Sequence, residues 1–331
     1  MQKTIVIAEA GVNHNGDLNI AKRLIKEAAK AGADFVKFQS FKANLLASKS
    51  AKLASYQSKN IKEDNQLSML KKLELDKKAH LELIKECQRC NISFLSTAFD
   101  SENLELLNEL KLELFKISST DLTNLPYLKE VARLDKKILL STGMANLAEV
   151  EFAIDILCKN GTKRKNITLL HCTSEYPAPV AEVNLRAMLT LKEAFKLKVG
   201  YSDHTKGIHI SLAAAALGAV VIEKHFTLDK NMQGPDHKAS LEPDELKALC
   251  DGVKDINLAL GNGIKKASKS ERKNLKVARK SLVALKDIKK GEFFSKENLG
   301  TKRPGNGISA CKYDEYLGKM ALKNYKKDEL I

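Results

Sequence analysis

KVGYSDHTKGIHISLAAAALGAVVIEKH, residues Lys198–His225, holds one complete unit of the fold. Lys198–Tyr201 reads as a short buried strand and Ile208–Leu217 as an alanine-rich helix, and Ala219–Glu223 is apolar again. Two strands joined through a helix run parallel, because the chain needs a crossover to return. The polar cluster Ser202–Thr205 stands where the first strand hands over to its helix.

Outward from this unit the same alternation repeats. Strands are expected at Thr4–Ala10, Phe35–Phe38, Ile92–Ser96, Leu114–Ile117, Lys137–Leu140 and Ile167–His171. Helical patterns lie at Leu18–Ala31, Lys77–Cys90, Glu102–Leu110, Asn124–Leu134, Leu147–Lys159, Leu185–Phe195 and Pro243–Ala259. Eight strand–helix units over roughly 260 residues match a (β/α)₈ TIM barrel. The strands end in chemically capable residues: Glu9, Lys37 and Gln39, Thr97, Lys116 and Ser119, Ser141, His171, Asp203 and His204, Glu223 and His225. A barrel gathers such ends on one catalytic face. An open doubly wound sheet would use one switch point instead.

The interval Phe41–Asp76 holds one weak helical stretch and is long for a connection, as substrate loops and lids are. After the barrel (1–262), the polar, lysine-rich stretch 263–280 reads as a linker. Residues 281–331 read as a small domain of short strands and turns, whose core is marginal without docking.

The formal net charge of +15 comes from lysines spread over nearly every helix, while aromatics are 5% and tryptophan is absent. Nucleic-acid binding more often pairs a basic patch with stacking aromatics or a reading module, so a solvated surface attracting anionic substrates is expected, with no nucleic acid partner. No window approaches a membrane span and no export signal is legible, and six scattered cysteines suit a reducing cytoplasm.

Four segments carry a family resemblance: EAGVNHNG (Glu9–Gly16), DFVKFQS (Asp34–Ser40), GYSDHT (Gly200–Thr205) and IEKHFTLDKNMQGPDHKAS (Ile222–Ser240). With the C-terminal KRPGNGIS, they resemble the sialic acid synthase family, whose barrel is followed by an antifreeze-like SAF domain. Within it the sequence looks closest to the N,N'-diacetyllegionaminate synthases. The resemblance implies condensation of phosphoenolpyruvate (PEP) with an acylated amino-sugar aldehyde and water, giving a nine-carbon acid and phosphate. The sugar implied is 2,4-diacetamido-2,4,6-trideoxymannose; N-acetylmannosamine or a pseudaminic acid precursor are the alternatives.

His204 and His225 end adjacent strands, so their rings can meet over the barrel mouth as metal ligands, with positions left open for water and substrate. A single histidine at a strand end would read as structural. The resemblance implies Mn²⁺, with Mg²⁺ as a substitute, polarising the aldehyde oxygen. Lys37 and Lys116, with the hydroxyls of Thr97, Ser119 and Ser141, suit the phosphate and carboxylate of PEP, and the resemblance assigns all five there. Each hydroxyl taken alone reads equally as a helix cap. Glu9 reads as a proton-transfer group or as the partner of Lys37, and Glu223 as the group orienting a metal-binding histidine. By resemblance Gln39, Tyr176 and Asp236 contact the sugar, and Arg303 enters the partner subunit's active site, which implies a domain-swapped homodimer.

The chain departs from the family pattern at KISSTD (Lys116–Asp121), where relatives read KIGSGE, and at STAF, where Ala98 replaces proline. Ser174 stands where sialic acid synthases usually carry the asparagine of a PEP contact. Cys87 and Cys90 form a CxxC without a second pair, which argues against zinc, and His80, His209 and Cys172 are expected to be structural. A lysine Schiff-base aldolase through Lys37 or Lys116, or a carbohydrate-binding protein acting through the SAF-like tail, are the competing readings.

Overall fold

The computed structural model describes residues 3–53 and 65–331. Eight strands, β1 (Ile5–Gly11), β2 (Phe35–Ser40), β3 (Ser93–Ala98), β4 (Leu114–Ile117), β5 (Lys137–Ser141), β6 (Ile167–Cys172), β7 (Lys198–Asp203) and β8 (Val221–His225), close into a parallel barrel in sequence order. β8 pairs with β1 to complete it. All the expected strands are present, but seven of the eight run one or two residues further than the apolar pattern suggests. The ladder continues through Gln39, Thr97, Ser141, Ser202 and His225, whose polar side chains end the hydrophobic signal before the hydrogen bonding ends.

The barrel floor is plugged by Ile7, Leu95, Leu139, Leu170 and Val221, one residue from each of five strands. A second apolar layer fills the space between strands and helices. The helix Leu18–Ala31 shows how the sequence builds that layer. Ala21, Leu24, Ile25 and Ala28 recur at helical spacing on its buried face. Asp17 caps its start by accepting from the Asn19 and Ile20 amides, and Gly32, at φ 89°, ends it in the left-handed conformation that glycine adopts without strain.

The described parts of the insertion between β2 and the helix Lys77–Arg89 hold two short helices, Ala43–Leu46 and Gln66–Lys71, where one was expected. Residues 54–64 of that interval lie outside the described residues. The insertion has an apolar cluster of its own, formed by Val12, Phe41, Ala43, Ala47, Met69, Leu70 and Leu73. It is tied to the barrel by the Lys42 amide donating to Asp100 at 2.7 Å. Gly16, at φ 79°, lies so close that a Cβ there would stand 2.4 Å from the Lys72 carbonyl oxygen. Only glycine fits at that point.

The chain divides into two compact units, Met1–Asn262 and Gly263–Ile331. In the second, β9 (Ser281–Ala284) and β10 (Leu299–Lys302) pair antiparallel over a core that includes Leu282, Ile288, Phe294, Leu299 and Tyr325. The stretch read as a linker contains a helix, Arg272–Ala278. Its lysine, leucine and alanine favour helix, a local signal masked by the polar composition around it. Among the described residues no helix is long and apolar enough to cross a membrane.

Candidate active site

The C-terminal ends of the strands deliver their polar residues into one cavity of about 490 Å³. Register sets the neighbours: Glu9 of β1 lies beside Lys37 of β2, Gln39 of β2 beside Thr97 of β3, and Thr97 beside Lys116 of β4. The Lys37 ammonium is 2.7 Å from Glu9 Oε2 and donates to Thr97 Oγ1 at 3.0 Å. Glu223 stands between the two lysines, 3.6 Å from each ammonium, and accepts from Ser202 Oγ at 2.8 Å. Gln39 Nε2 donates to the other oxygen of Glu9 at 3.2 Å. Glu9 is thus both the partner of Lys37 and a lining group of the cavity.

These buried charges settle each other's protonation. Burial raises Glu9 to about 7, against the pull of Lys37 and with the push of Glu223. Burial also works to raise Glu223, but Lys116, Lys37 and the Ser202 hydroxyl outweigh it and hold that carboxyl at about 2. Lys37 stays charged: burial disfavours its ammonium, and Glu223 and Glu9 more than compensate. Burial lowers Lys116, with Glu223 opposing. The site therefore holds one firmly charged lysine, a second lysine whose ammonium burial disfavours, one firmly ionised carboxylate and one carboxyl poised near neutrality.

The hydroxyls are not helix caps. Asp100 caps the helix after β3 and Asn146 caps the helix after β5, which frees Thr97 and Ser141. Ser141 Oγ is buried with no hydrogen-bond partner, a state costly enough to suggest a ligand contact. Ser119 accepts from the Gly143 amide at 2.9 Å, and its Oγ lies 3.1 Å from Cys172 Sγ. Gly143 leaves room for these side chains: a Cβ there would come 2.3 Å from Ser174 Oγ and 2.9 Å from Ser119 Oγ, which would have to move. Ser174 thus packs directly beside the Ser119–Ser141 side of the cavity.

His204 and His225 face each other with ring centres 5.7 Å apart. Burial lowers His204 to about 4 and His225 well below the ordinary imidazole range. Both rings are neutral at pH 7 and have a lone pair to give. Nδ1 of His204 donates to the Thr173 carbonyl at 2.6 Å, which leaves Nε2 as the lone-pair nitrogen. Nδ1 of His225 is buried without a hydrogen-bond partner. Two imidazoles bound to one ion at about 2.1 Å have ring centres about 5 Å apart at ordinary ligand angles, and the observed pair stands slightly wider, within a small side-chain movement of sharing a divalent ion. Among the described residues no group of three or more His, Cys, Asp or Glu side chains stands ready as a cage. Two imidazoles with the other positions open to oxygen ligands are what these residues provide.

No hydrogen bond joins Glu223 to either ring: its Oε1 accepts from Ser202, each of its oxygens lies 3.6 Å from a lysine, its Oε2 has no hydrogen-bond partner, and the Thr173 carbonyl orients His204. Tyr176 packs its ring 4.1 Å from that of His204 and 5.5 Å from that of His225. Gln39, Tyr176, Ser174 and Asp236 all line the cavity. Burial raises the Asp236 carboxyl to about 6. Arg303 belongs to the second unit, where it is exposed.

Two features were not read from the sequence. Lys224, between Glu223 and His225, points the other way and is fully buried against Asp203 at 2.9 Å. Asp203 also accepts from Thr205 and Ser211, so this pair fixes the loop that presents His204. The second is an apolar side of the cavity, supplied by Leu46, Met69, Leu70 and Leu73 of the insertion. His80 is structural, 2.6 Å from Ser40 Oγ and 2.8 Å from the Asp76 carbonyl. Cys87 is buried and Cys90 half-buried, with both thiols pushed up, first by burial.

Comparison with known proteins agrees with this geometry. Over all of its length the chain is 70% identical to the N,N'-diacetyllegionaminic acid synthase of Campylobacter jejuni, covering 99% of that protein. It is 44% identical to the N,N'-diacetyllegionaminic acid synthase of Legionella pneumophila, over 96% of this chain and 90% of the other. The crystal structure of N-acetylneuraminic acid (sialic acid) synthetase from Leptospira borgpetersenii superposes with a TM-score of 0.74 at 38% identity, over 82% of this chain and 90% of that one. A SAF domain is matched at residues 279–331 and the NeuB family at residues 24–265. The chain belongs to the NeuB family, with a SAF domain following its catalytic barrel.

Proposed function

We propose that this chain joins PEP to 2,4-diacetamido-2,4,6-trideoxymannose, giving N,N'-diacetyllegionaminic acid and phosphate. The observation that carries the reading is two buried lysines and two neutral imidazoles lining one barrel-mouth cavity. The choice of sugar is supported by the name of the relative at 70% identity.

PEP needs a cationic cradle. Lys37 and Lys116 supply it with the hydroxyls of Thr97, Ser119 and Ser141, and the unpartnered Ser141 Oγ is free for the anion. C3 of PEP bonds to the aldehyde carbon, and the aldehyde oxygen takes up a proton to become a hydroxyl. Water adds its oxygen at C2 and gives up a proton, and phosphate leaves to reveal the keto acid. His204 and His225 hold a divalent ion, Mn²⁺ or Mg²⁺, whose chemistry when bound is Lewis-acid polarisation of the aldehyde oxygen. Glu9, poised at about 7, moves the proton at the aldehyde and water side. Gln39, Tyr176 and Asp236 orient the sugar. A Schiff-base route is disfavoured at Lys37, whose carboxylate neighbours hold it charged when an amine nucleophile must be neutral.

Six free thiols support a cytoplasmic setting. Arg303 reaches the sugar in the partner's cavity of a homodimer, so mixing an inactive His225→Ala chain with an inactive Arg303→Ala chain should restore activity in one of the two sites of a heterodimer. Incubation with PEP, the trideoxymannose and Mn²⁺ should yield the nine-carbon acid by mass spectrometry with equimolar phosphate. Folded, metal-loaded protein that forms no such product from any of the candidate sugars would refute the proposal.

A further inference from the structure

The cavity is chemically two-sided. Besides its charged groups, its lining includes an apolar wall of Leu46, Met69, Leu70 and Leu73, with Val12 and Phe99. The bland reading is a small core that holds the insertion in place. Three observations argue for more. The wall lines the same cavity as Glu9, Lys37 and His225. Leu46 is 36% exposed on the helix Ala43–Leu46 and lines the cavity. The insertion is also held by polar contacts, from the Lys42 amide to Asp100 and from the Ala43 amide to Glu74, both at 2.7 Å, so it does not depend on the apolar residues alone.

Neither PEP nor the hydroxyls of a sugar ring match such a surface. Methyl groups do. We propose that this wall is the specificity surface for the apolar substituents of the sugar, the acyl methyls and the C6 methyl of a 6-deoxy sugar. The inference rests on the function proposed above and names what selects its substrate. A methyl buried against Leu and Met gains about fourfold in binding. A hydroxyl in its place loses its water and finds no partner among these side chains, which disfavours it by up to roughly a hundredfold. The wall therefore favours 2,4-diacetamido-2,4,6-trideoxymannose over N-acetylmannosamine, which lacks the second acetamido group and carries a hydroxyl at C6.

The test compares wild type, Leu46→Ser and Met69→Gln, with Met69→Leu and Leu46→Met as apolar controls. For each, kcat/KM is measured with the trideoxymannose, N-acetylmannosamine is followed by turnover or as a competitor, and the KM for PEP is recorded. The expected result is a roughly tenfold loss for the trideoxymannose in the polar variants, mostly in its KM. N-acetylmannosamine, which keeps one acetyl methyl, should lose no more than about fourfold, the KM for PEP should stay within about twofold, and the apolar controls should keep the wild-type preference. An equal loss for both sugars, or an unchanged ratio between them, overturns the inference. Thermal unfolding identifies any variant that has lost its fold, and Leu46→Ser, at a partly exposed position, keeps the test available if Met69→Gln does. Wild-type protein inactive with every sugar would instead refute the proposed function.

Discussion

Glu9→Gln should make the protein more stable at pH 8 and change little at pH 5. The Glu9 carboxyl is raised from its ordinary 4.5 to about 7 by burial, with Lys37 only partly compensating. A carboxyl whose pKa rises on folding takes up a proton as the chain folds between those two values. Its contribution to stability is then fully present below about 4.5 and is lost as pH rises through about 7. The displacement is equivalent to about 3 kcal/mol at pH 8. Glutamine keeps the shape of the protonated carboxyl and does not titrate. Urea unfolding of both proteins from pH 5 to pH 8 in metal-free buffer should show a stability difference that grows with pH in favour of the variant. The variant should nonetheless lose at least about a hundredfold in kcat, because it cannot transfer a proton. A difference that is flat with pH, or a variant several kcal/mol weaker throughout, would mean that Glu9 is an ordinary ionised partner of Lys37, and the proton-transfer assignment would fall.

Other predictions test separate parts of the site. Lys116→Met should raise the KM for PEP by about ten- to a hundredfold while leaving that for the sugar near wild type, read from initial rates with each substrate varied. His225→Ala should weaken Mn²⁺ binding by about a hundredfold in electron paramagnetic resonance titration, with an unchanged circular dichroism spectrum. Gly143→Ala, whose Cβ would meet Ser174 and Ser119 at 2.3 and 2.9 Å, should displace the hydroxyls of the PEP site and cost ten- to about a hundredfold in kcat/KM for PEP. Asp203→Asn leaves the Lys224 ammonium buried without its carboxylate and should cost about 3–5 kcal/mol in urea unfolding.

The barrel was legible because each strand–helix unit repeats one pattern, and the site was legible where polar residues interrupt a strand end, as at Lys37, His204 and His225. What stayed hidden depends on pairing across strands far apart in sequence. Ser202 faces Glu223 and Asp203 faces Lys224 only because β7 and β8 take that register. The alternation of side chains then sends Glu223 into the barrel and Lys224 away from it. Lys224, between two site residues, is a buried structural charge. The same limit applies to Glu223, expected to serve a histidine and found between two lysines. Capping could be resolved only once Asp100 and Asn146 were seen to hold the helix starts, which freed Thr97 and Ser141. The apolar wall is not legible in the sequence because the helices Ala43–Leu46 and Gln66–Lys71 are too short to show a period.

The measurement that bears most directly on the account is phosphate release from PEP with the trideoxymannose, with N-acetylmannosamine and without sugar, each in Mn²⁺ and in EDTA. Release is expected only when metal and sugar are both present, fastest with the trideoxymannose. Release without sugar, or at full rate in EDTA, would contradict a metal-dependent condensation.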